Sequence, residues 1–308
     1  MVNPEDDTSI LFKSVKDLAF ETVQYIEKCH SDAQVKESKG VGITGIPTGF
    51  IDIDVVTGGL PYGLSVVGAR PEDGLTDFGL NIALHASLNA LQKYKVAYFN
   101  SQIPSKLLMR RLTSMASRIP MKDIREGYLA ERDFPKMTKA IEGLIKTDGL
   151  RFCEVSLDPE QFYEACKRSQ DTQGTQLIIL DRLQSLFPTR NASGSDSYYW
   201  RGREVQGIFH DLITERGLAL LVLSECKKKF KSERIQTDHL RDYGALEYNA
   251  HPIILLERDI ESDDTHDSRG VVARISNNLE GQWTADVPLT YLKQYGRFES
   301  AAKVSDEE

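Results

Sequence analysis

The sequence predicts an α/β fold, a largely parallel sheet with helices on both faces, and three observations point to it. Near-continuous aliphatic runs of strand length recur along the chain, as expected of strands buried on both sides. Segments with helical periodicity fill most of the gaps among the first five runs, as crossovers between parallel strands require. With 308 residues, 40% hydrophobic and 27% charged, the chain can bury one large core.

Taken in order, residues 8–30 carry Leu11, Val15, Leu18, Thr22, Ile26 and Cys29 at alternating steps of three and four, one face of an amphipathic helix. A lone helix of this length gains little stability by itself, so the stripe is expected to dock on another surface. A polar linker follows, and the two form a segment over 1–40. The expected strands are 64–69, 96–100, 151–155, 176–181, 218–224, 253–257 and 271–276, with helices over 77–92, 105–118, 134–145, 159–169 and 198–215. The last third reads as more antiparallel. Residues 189–199 are rich in Ser, Asn and Gly and read as a loop, and 301–308 as a disordered acidic tail. The main domain therefore spans 41–300.

The formal net charge of −8 argues against a surface coated in nucleic acid but leaves a local basic patch open. Cys29, Cys153, Cys166 and Cys226 are scattered without metal-ligand spacing, and the six histidines show none either, so no metal site is expected. The N-terminus is acidic and lacks an apolar signal segment, and no uncharged run approaches membrane-spanning length. A cytoplasmic protein without a membrane partner is the expectation.

The most informative stretch is Ala69-Arg70-Pro71-Glu72-Asp73-Gly74-Leu75-Thr76-Asp77-Phe78. It joins a buried strand to a helix, the context in which loop amides and a helix N-terminus hold phosphate oxygens. The phosphate-binding pattern wants Gly-Lys-Ser/Thr, whereas this loop has Gly74-Leu75-Thr76. Leucine cannot offset phosphate charge, Arg70 is the only cation in the loop, and Glu72, Asp73 and Asp77 add carboxylates. The scaffold suits a nucleotide; its side chains do not.

In order and spacing these pieces resemble the C-terminal motor domain of DnaB-type replicative helicases, superfamily 4, on a RecA-like core. Ile43-Thr44-Gly45-Ile46-Pro47-Thr48-Gly49-Phe50-Ile51-Asp52 with Gly58-Gly59-Leu60 is similar to the segment that opens that domain. Ala69-Arg70-Pro71 is similar to the start of its P-loop, and Asp181-Arg182-Leu183-Gln184 to its Walker B strand end. Leu240-Arg241-Asp242-Tyr243-Gly244-Ala245-Leu246-Glu247 resembles its Leu-Arg-Glu-Ser-Gly segment. The resemblance covers about residues 42–298. It implies that the first helix is a linker helix packing on a neighbouring subunit of a ring.

The departures from that pattern decide the expected function. By resemblance, the Walker A lysine position is Leu75 and the catalytic glutamate position is Gln102, which can hold a water but cannot take its proton. The glutamine sensor after the fifth strand is Glu225, and the Lys-x-Arg pair that reaches a neighbour's nucleotide is Asn277 and Leu279. What survives is a vestigial P-loop: Arg70, Gly74, Thr76 and the strand-end Asp181. After the fifth strand, Lys227, Lys228, Lys229, Phe230, Lys231 and Arg234 lie where the family's DNA-contacting loop projects. Clustered ammonium groups with one aromatic suit phosphate contact and base stacking, although a solvated charge run has the same composition.

Three readings follow. The first is a pseudo-ATPase without cofactor that binds single-stranded DNA, its own copies or a replicative helicase ring. The second is an active ATPase using ATP and Mg²⁺ through a divergent loop. The third is an architectural assembly protein that binds no DNA.

Overall fold

A computed structural model describes residues 43–89, 92–186, 195–227, 234–240, 250–259, 264–265, 267–277 and 284–301, with single positions between 14 and 30. The chain divides into two units, Met1–Thr44 and Gly45–Glu308. In the first, the described positions between 15 and 30 are helical (α1), and every one is exposed, its large apolar side chains from 83% at Val15 to 43% at Leu18. Leu11 and Cys29 of the predicted stripe, and the acidic tail at 302–308, lie outside the described residues.

Among the described residues, the second unit is built on one nine-stranded sheet in the order β3-β2-β4-β5-β1-β6-β7-β8-β9. The strands are β1 (Leu64–Ala69), β2 (Val96–Phe99), β3 (Leu150–Cys153), β4 (Leu177–Asp181) and β5 (Ala219–Glu225), then β6 (Ala250–Arg258), β7 (Ser268–Asn277), β8 (Ala285–Leu292) and β9 (Arg297–Ser300). Pairing is parallel from β3 through β6 and antiparallel from β6 to β9. Both parts of the topology agree with the sequence reading.

Strand alternation sorts the aliphatic runs into two cores. Val67, Ala69, Leu177, Ile179, Leu221 and Leu223 face one side, where α3 (Leu75–Leu88) and α4 (Ser105–Ser117) cover them. Val66, Ile178, Leu180, Leu220 and Val222 face the other, under α7 (Pro159–Gln173) and α8 (Ser195–Thr214). Because both faces are covered, these strands read as continuous rather than alternating apolar runs. Where α3 crosses β5, a Cβ on Gly79 would stand 2.6 Å from the Leu223 Cδ1 methyl, so any larger residue there requires that side chain to shift.

One expectation is corrected. Ser195–Tyr199 begin α8 rather than ending a loop, and 187–194 lie outside the described residues. Serine and aspartate at positions 195–197 suit a first helical turn as well as a loop, so composition alone misplaced the boundary. Two short helices, α2 (Ile51–Thr57) and α5 (Met121–Glu126), and the strands β8 and β9 go beyond the predicted set, whereas α6 (Asp133–Thr147) corresponds to the expected 134–145 helix.

At the start of α2, Asp54 accepts hydrogen bonds from the Thr48 amide (2.9 Å) and hydroxyl (2.7 Å), closing the Thr48–Gly49 turn. Burial raises its carboxyl from 3.8 to about 6 despite those bonds. A raised carboxyl favours the folded state when protonated. The stabilisation is therefore complete below pH 4 and is lost as pH rises through about 6. Asp54→Asn keeps an acceptor and removes the titration. Urea unfolding should show the difference in stability between wild type and Asp54→Asn changing by about 2 kcal/mol between pH 4 and pH 7. A difference independent of pH would show that Asp54 titrates normally.

Candidate functional site

Four elements bring candidate residues to the carboxyl ends of adjacent parallel strands, where open α/β sheets build their ligand sites. The loop Arg70–Gly74 leaves β1, Asn100 and Gln102 follow β2, Asp181 ends β4 and Glu225 ends β5.

The loop has the strand–loop–helix geometry of a phosphate cradle. Gly74 takes φ +85° as the N-cap of α3, and a Cβ there would meet the Phe298 ring at 2.8 Å. That ring stacks on Tyr291 (centroids 4.4 Å) and meets Phe78 edge-on (5.2 Å), so the β8–β9 hairpin supports the loop from beneath. Leu75 does not project as a lysine substitute: it is 8% exposed and belongs to the core on the α3 side of the sheet.

The carboxylates correct a second expectation. Read from sequence, they stand as uncompensated charge beside a phosphate. In the structure Asp73 is 2% exposed and accepts from Arg258 Nε (2.8 Å) and Arg269 Nη1 (3.3 Å). Asp77 accepts from Arg111 Nη1 (2.7 Å) and from the Tyr291 hydroxyl (2.6 Å). Arg70 lies 3.9 Å from Glu257, which also pairs with Arg274. Glu225 pairs with Arg182, the residue after Asp181. The partners come from distant strands and helices, which is why no local pattern announced them. Of the three loop carboxylates, Glu72 alone is exposed, at φ +73°.

Asp181 is the buried centre of the region, at 0% exposure. Its Oδ2 accepts from Tyr98 (2.9 Å) and Asn100 Nδ2 (2.6 Å), and its Oδ1 from Thr76 Oγ1 (3.3 Å). Burial pushes the carboxyl up, the three hydrogen bonds oppose that, and the same burial pushes the Tyr98 phenol well up. Asn100 also accepts from the Gln102 and Ile103 amides, fixing the turn on which Gln102 stands exposed. Sequence reasoning chose Asp181 and Thr76 but missed Tyr98, a strand aromatic with no motif around it, and the part played by Asn100.

Domain-scale comparison agrees with this geometry. The family model for the DnaB-like helicase C-terminal domain matches residues 45–300. The chain belongs to that family. Among curated relatives of this DnaB-like domain, the replicative DNA helicase DnaC of Bacillus subtilis (strain 168) is 27% identical over 301 residues, covering 93% of this chain and 62% of the relative. The replicative DNA helicase DnaB of Geobacillus stearothermophilus is 27% identical over 304 residues, covering 96% and 64%. The chain thus spans about three fifths of the length of these relatives. The fold matches the ATPase domain of G40P with a TM-score of 0.77 at 22% identity, covering 94% of this chain and all of that one. A DnaB-like replicative helicase solved for its interactions with primase gives a TM-score of 0.73 at 23% identity, covering 97% and 69%. The RecA-like expectation holds at the level of fold.

The remaining candidates separate. Lys227 is exposed and donates from Nζ to the Asp238 carbonyl (2.9 Å), and Arg234 pairs with Asp286 and Glu257. Lys228, Lys229, Phe230 and Lys231 lie outside the described residues, as do Leu279 and residues 241–249; Asn277 ends β7. Among the described residues no cluster of His, Cys, Asp and Glu could hold a metal, and no helix is long and apolar enough to cross a membrane.

Proposed function

We propose that this DnaB-like domain is a non-catalytic relative of the replicative helicase motor, acting in DNA replication by binding single-stranded DNA, its own copies or a helicase ring. The observation that carries this reading is the burial of Leu75 in the core at the head of α3, where a triphosphate would need a cation. Two further features support it. Asp181 accepts three hydrogen bonds, from Tyr98, Asn100 and Thr76, using most of its roughly four lone-pair sites, which suits a structural pin better than a metal ligand. By the resemblance, Gln102 takes the position of the base, and a glutamine cannot accept a proton. The exposed apolar residues of α1 give the assembly role a surface to use.

One observation favours the active-ATPase reading: Thr76 and Asp181, the Mg²⁺-side pair in the resemblance, still meet at 3.3 Å. On that reading ATP and Mg²⁺ are the cofactors, and the missing cations would come from a neighbouring chain.

The DNA-binding part of the reading rests on the basic run after β5. Replacing Lys227, Lys228, Lys229 and Lys231 together with alanine should weaken binding to fluorescently labelled single-stranded DNA. It should also flatten the salt dependence by ~0.7 in log–log slope for each phosphate that is no longer neutralised. Phe230→Ala should cost a further ~1–3 kcal/mol if a base stacks on its ring. A wild-type protein that binds no single-stranded DNA at low salt, alone or with a helicase ring, would leave the architectural reading in its place.

A further inference from the structure

We propose that Asp73 is a built-in anion: its carboxylate occupies, from within the chain, an anion site made by Arg258 of β6 and Arg269 of β7, and removing it opens that site to a pyrophosphate-class ligand. The proposal rests on the non-catalytic reading of the same loop.

The geometry is that of a ligand held by two neighbouring strands. Arg258 and Arg269 lie at facing ends of the antiparallel pair β6–β7, where Arg258 pairs with Val271 in register. Their guanidinium groups converge on one oxygen, Oδ1 of Asp73, at 2.8 and 3.3 Å. That carboxylate comes from the middle of the loop after β1, and its own amide donates to the Arg70 carbonyl (3.2 Å), which fixes the turn that aims it. Planar guanidinium forks recognise carboxylate and phosphate oxygens by the same hydrogen bonds, so a pair built for one accepts the other. The preceding residue, Glu72, sits at φ +73°, a conformation that a non-glycine residue keeps only where its surroundings hold it. The two arginine contacts to the next residue, Asp73, help hold that turn.

The surroundings set how strongly an external anion would bind once Asp73 is gone. Arg269 also donates to Asp264 Oδ2 (3.2 Å), and Asp264 pairs with Lys293. Glu72 contributes negative potential at Arg258. These acids compete with an incoming anion, so the opened site should prefer a multivalent species such as pyrophosphate over a monovalent one.

The test is titration of wild type, Asp73→Ala and Asp73→Asn with sodium pyrophosphate, without Mg²⁺, by calorimetry and phosphorus NMR. Asp73→Ala should bind at least about tenfold more tightly than wild type, and Asp73→Asn, which keeps one acceptor, should fall between them. Arg258→Ala in the Asp73→Ala background should return the affinity to the wild-type level. Folded variants that bind no better than wild type would overturn the proposal, as would binding that survives removal of the Arg258 side chain. In the wild-type protein itself, the Arg258 Nε–H should exchange slowly with solvent although its side chain is 47% exposed. Fast exchange would overturn the proposal whether or not the variants fold. Tight wild-type binding of ATP with Mg²⁺ would instead contradict the non-catalytic reading and leave the comparison of Asp73 variants standing.

Discussion

Leu75→Lys is expected to leave the protein without ATP turnover. Restoring the lysine supplies one member of a set whose other members would still be absent. On the proposed assignment, Gln102 offers no base, Glu225 is engaged by Arg182, and Asn277 and Leu279 carry no cation for a neighbour's nucleotide. Groups that act as a unit are strongly non-additive, and an arginine finger alone is worth ~10³–10⁵ in rate in GTPases. The substitution also takes Leu75 out of the core at a cost of ~1.5–3 kcal/mol, and it puts a cation at a helix N-terminus, where the dipole disfavours it. Phosphate release in the presence of single-stranded DNA and Mg²⁺ should stay at background. Turnover approaching that of a working helicase would mean that the functional positions outside the loop have been assigned to the wrong residues.

Asp181→Ala is expected to destabilise the fold by about 3 kcal/mol or more. It leaves the Tyr98 hydroxyl, the Asn100 amide and the Thr76 hydroxyl without their shared acceptor in a dry interior, and each unsatisfied donor costs ~1–3 kcal/mol. Asp181→Asn keeps an acceptor oxygen and removes the buried charge whose desolvation raises the carboxyl, so it should cost clearly less than alanine. The order wild type, Asn, Ala in urea unfolding at neutral pH separates a structural pin from a surface ligand. If Asp181→Ala unfolds within about 0.5 kcal/mol of wild type, the size of an ordinary surface substitution, the carboxylate is not holding these three groups.

Most of the parallel half of the sheet was legible because β1, β2, β4 and β5 are buried on both faces and read as continuous apolar runs, whereas the edge strand β3, Leu150–Cys153, is only partly buried and carries Arg151. The antiparallel half was harder to read. In β8, Asp286, Pro288 and Thr290 alternate with buried Val287, Leu289 and Tyr291, and a proline inside a short run argues against a strand. Helix α2 is seven residues long with Ile51 and Val55 turned outward, so its periodicity has no room to show.

The site divides in the same way. Local order in the sequence was enough to put Gly74, Leu75 and Thr76 at the head of α3 and Asp181 at the end of β4. The charge balance was not legible, because it is settled by contacts between residues far apart in the chain. Asp73 is joined to Arg258 and Arg269 across the sheet, and Asp77 to Arg111 and Tyr291. A loop that reads as three repelling carboxylates is, once folded, largely neutralised by its own protein. The case against a bound triphosphate therefore rests on the missing lysine and on the occupied Asp181, rather than on repulsion.

Calorimetric titration of the wild-type protein with ATP, with and without Mg²⁺, tests that case most directly. No saturable binding up to millimolar nucleotide, unchanged by the metal, is the predicted result. A micromolar dissociation constant that depends on Mg²⁺ would contradict it.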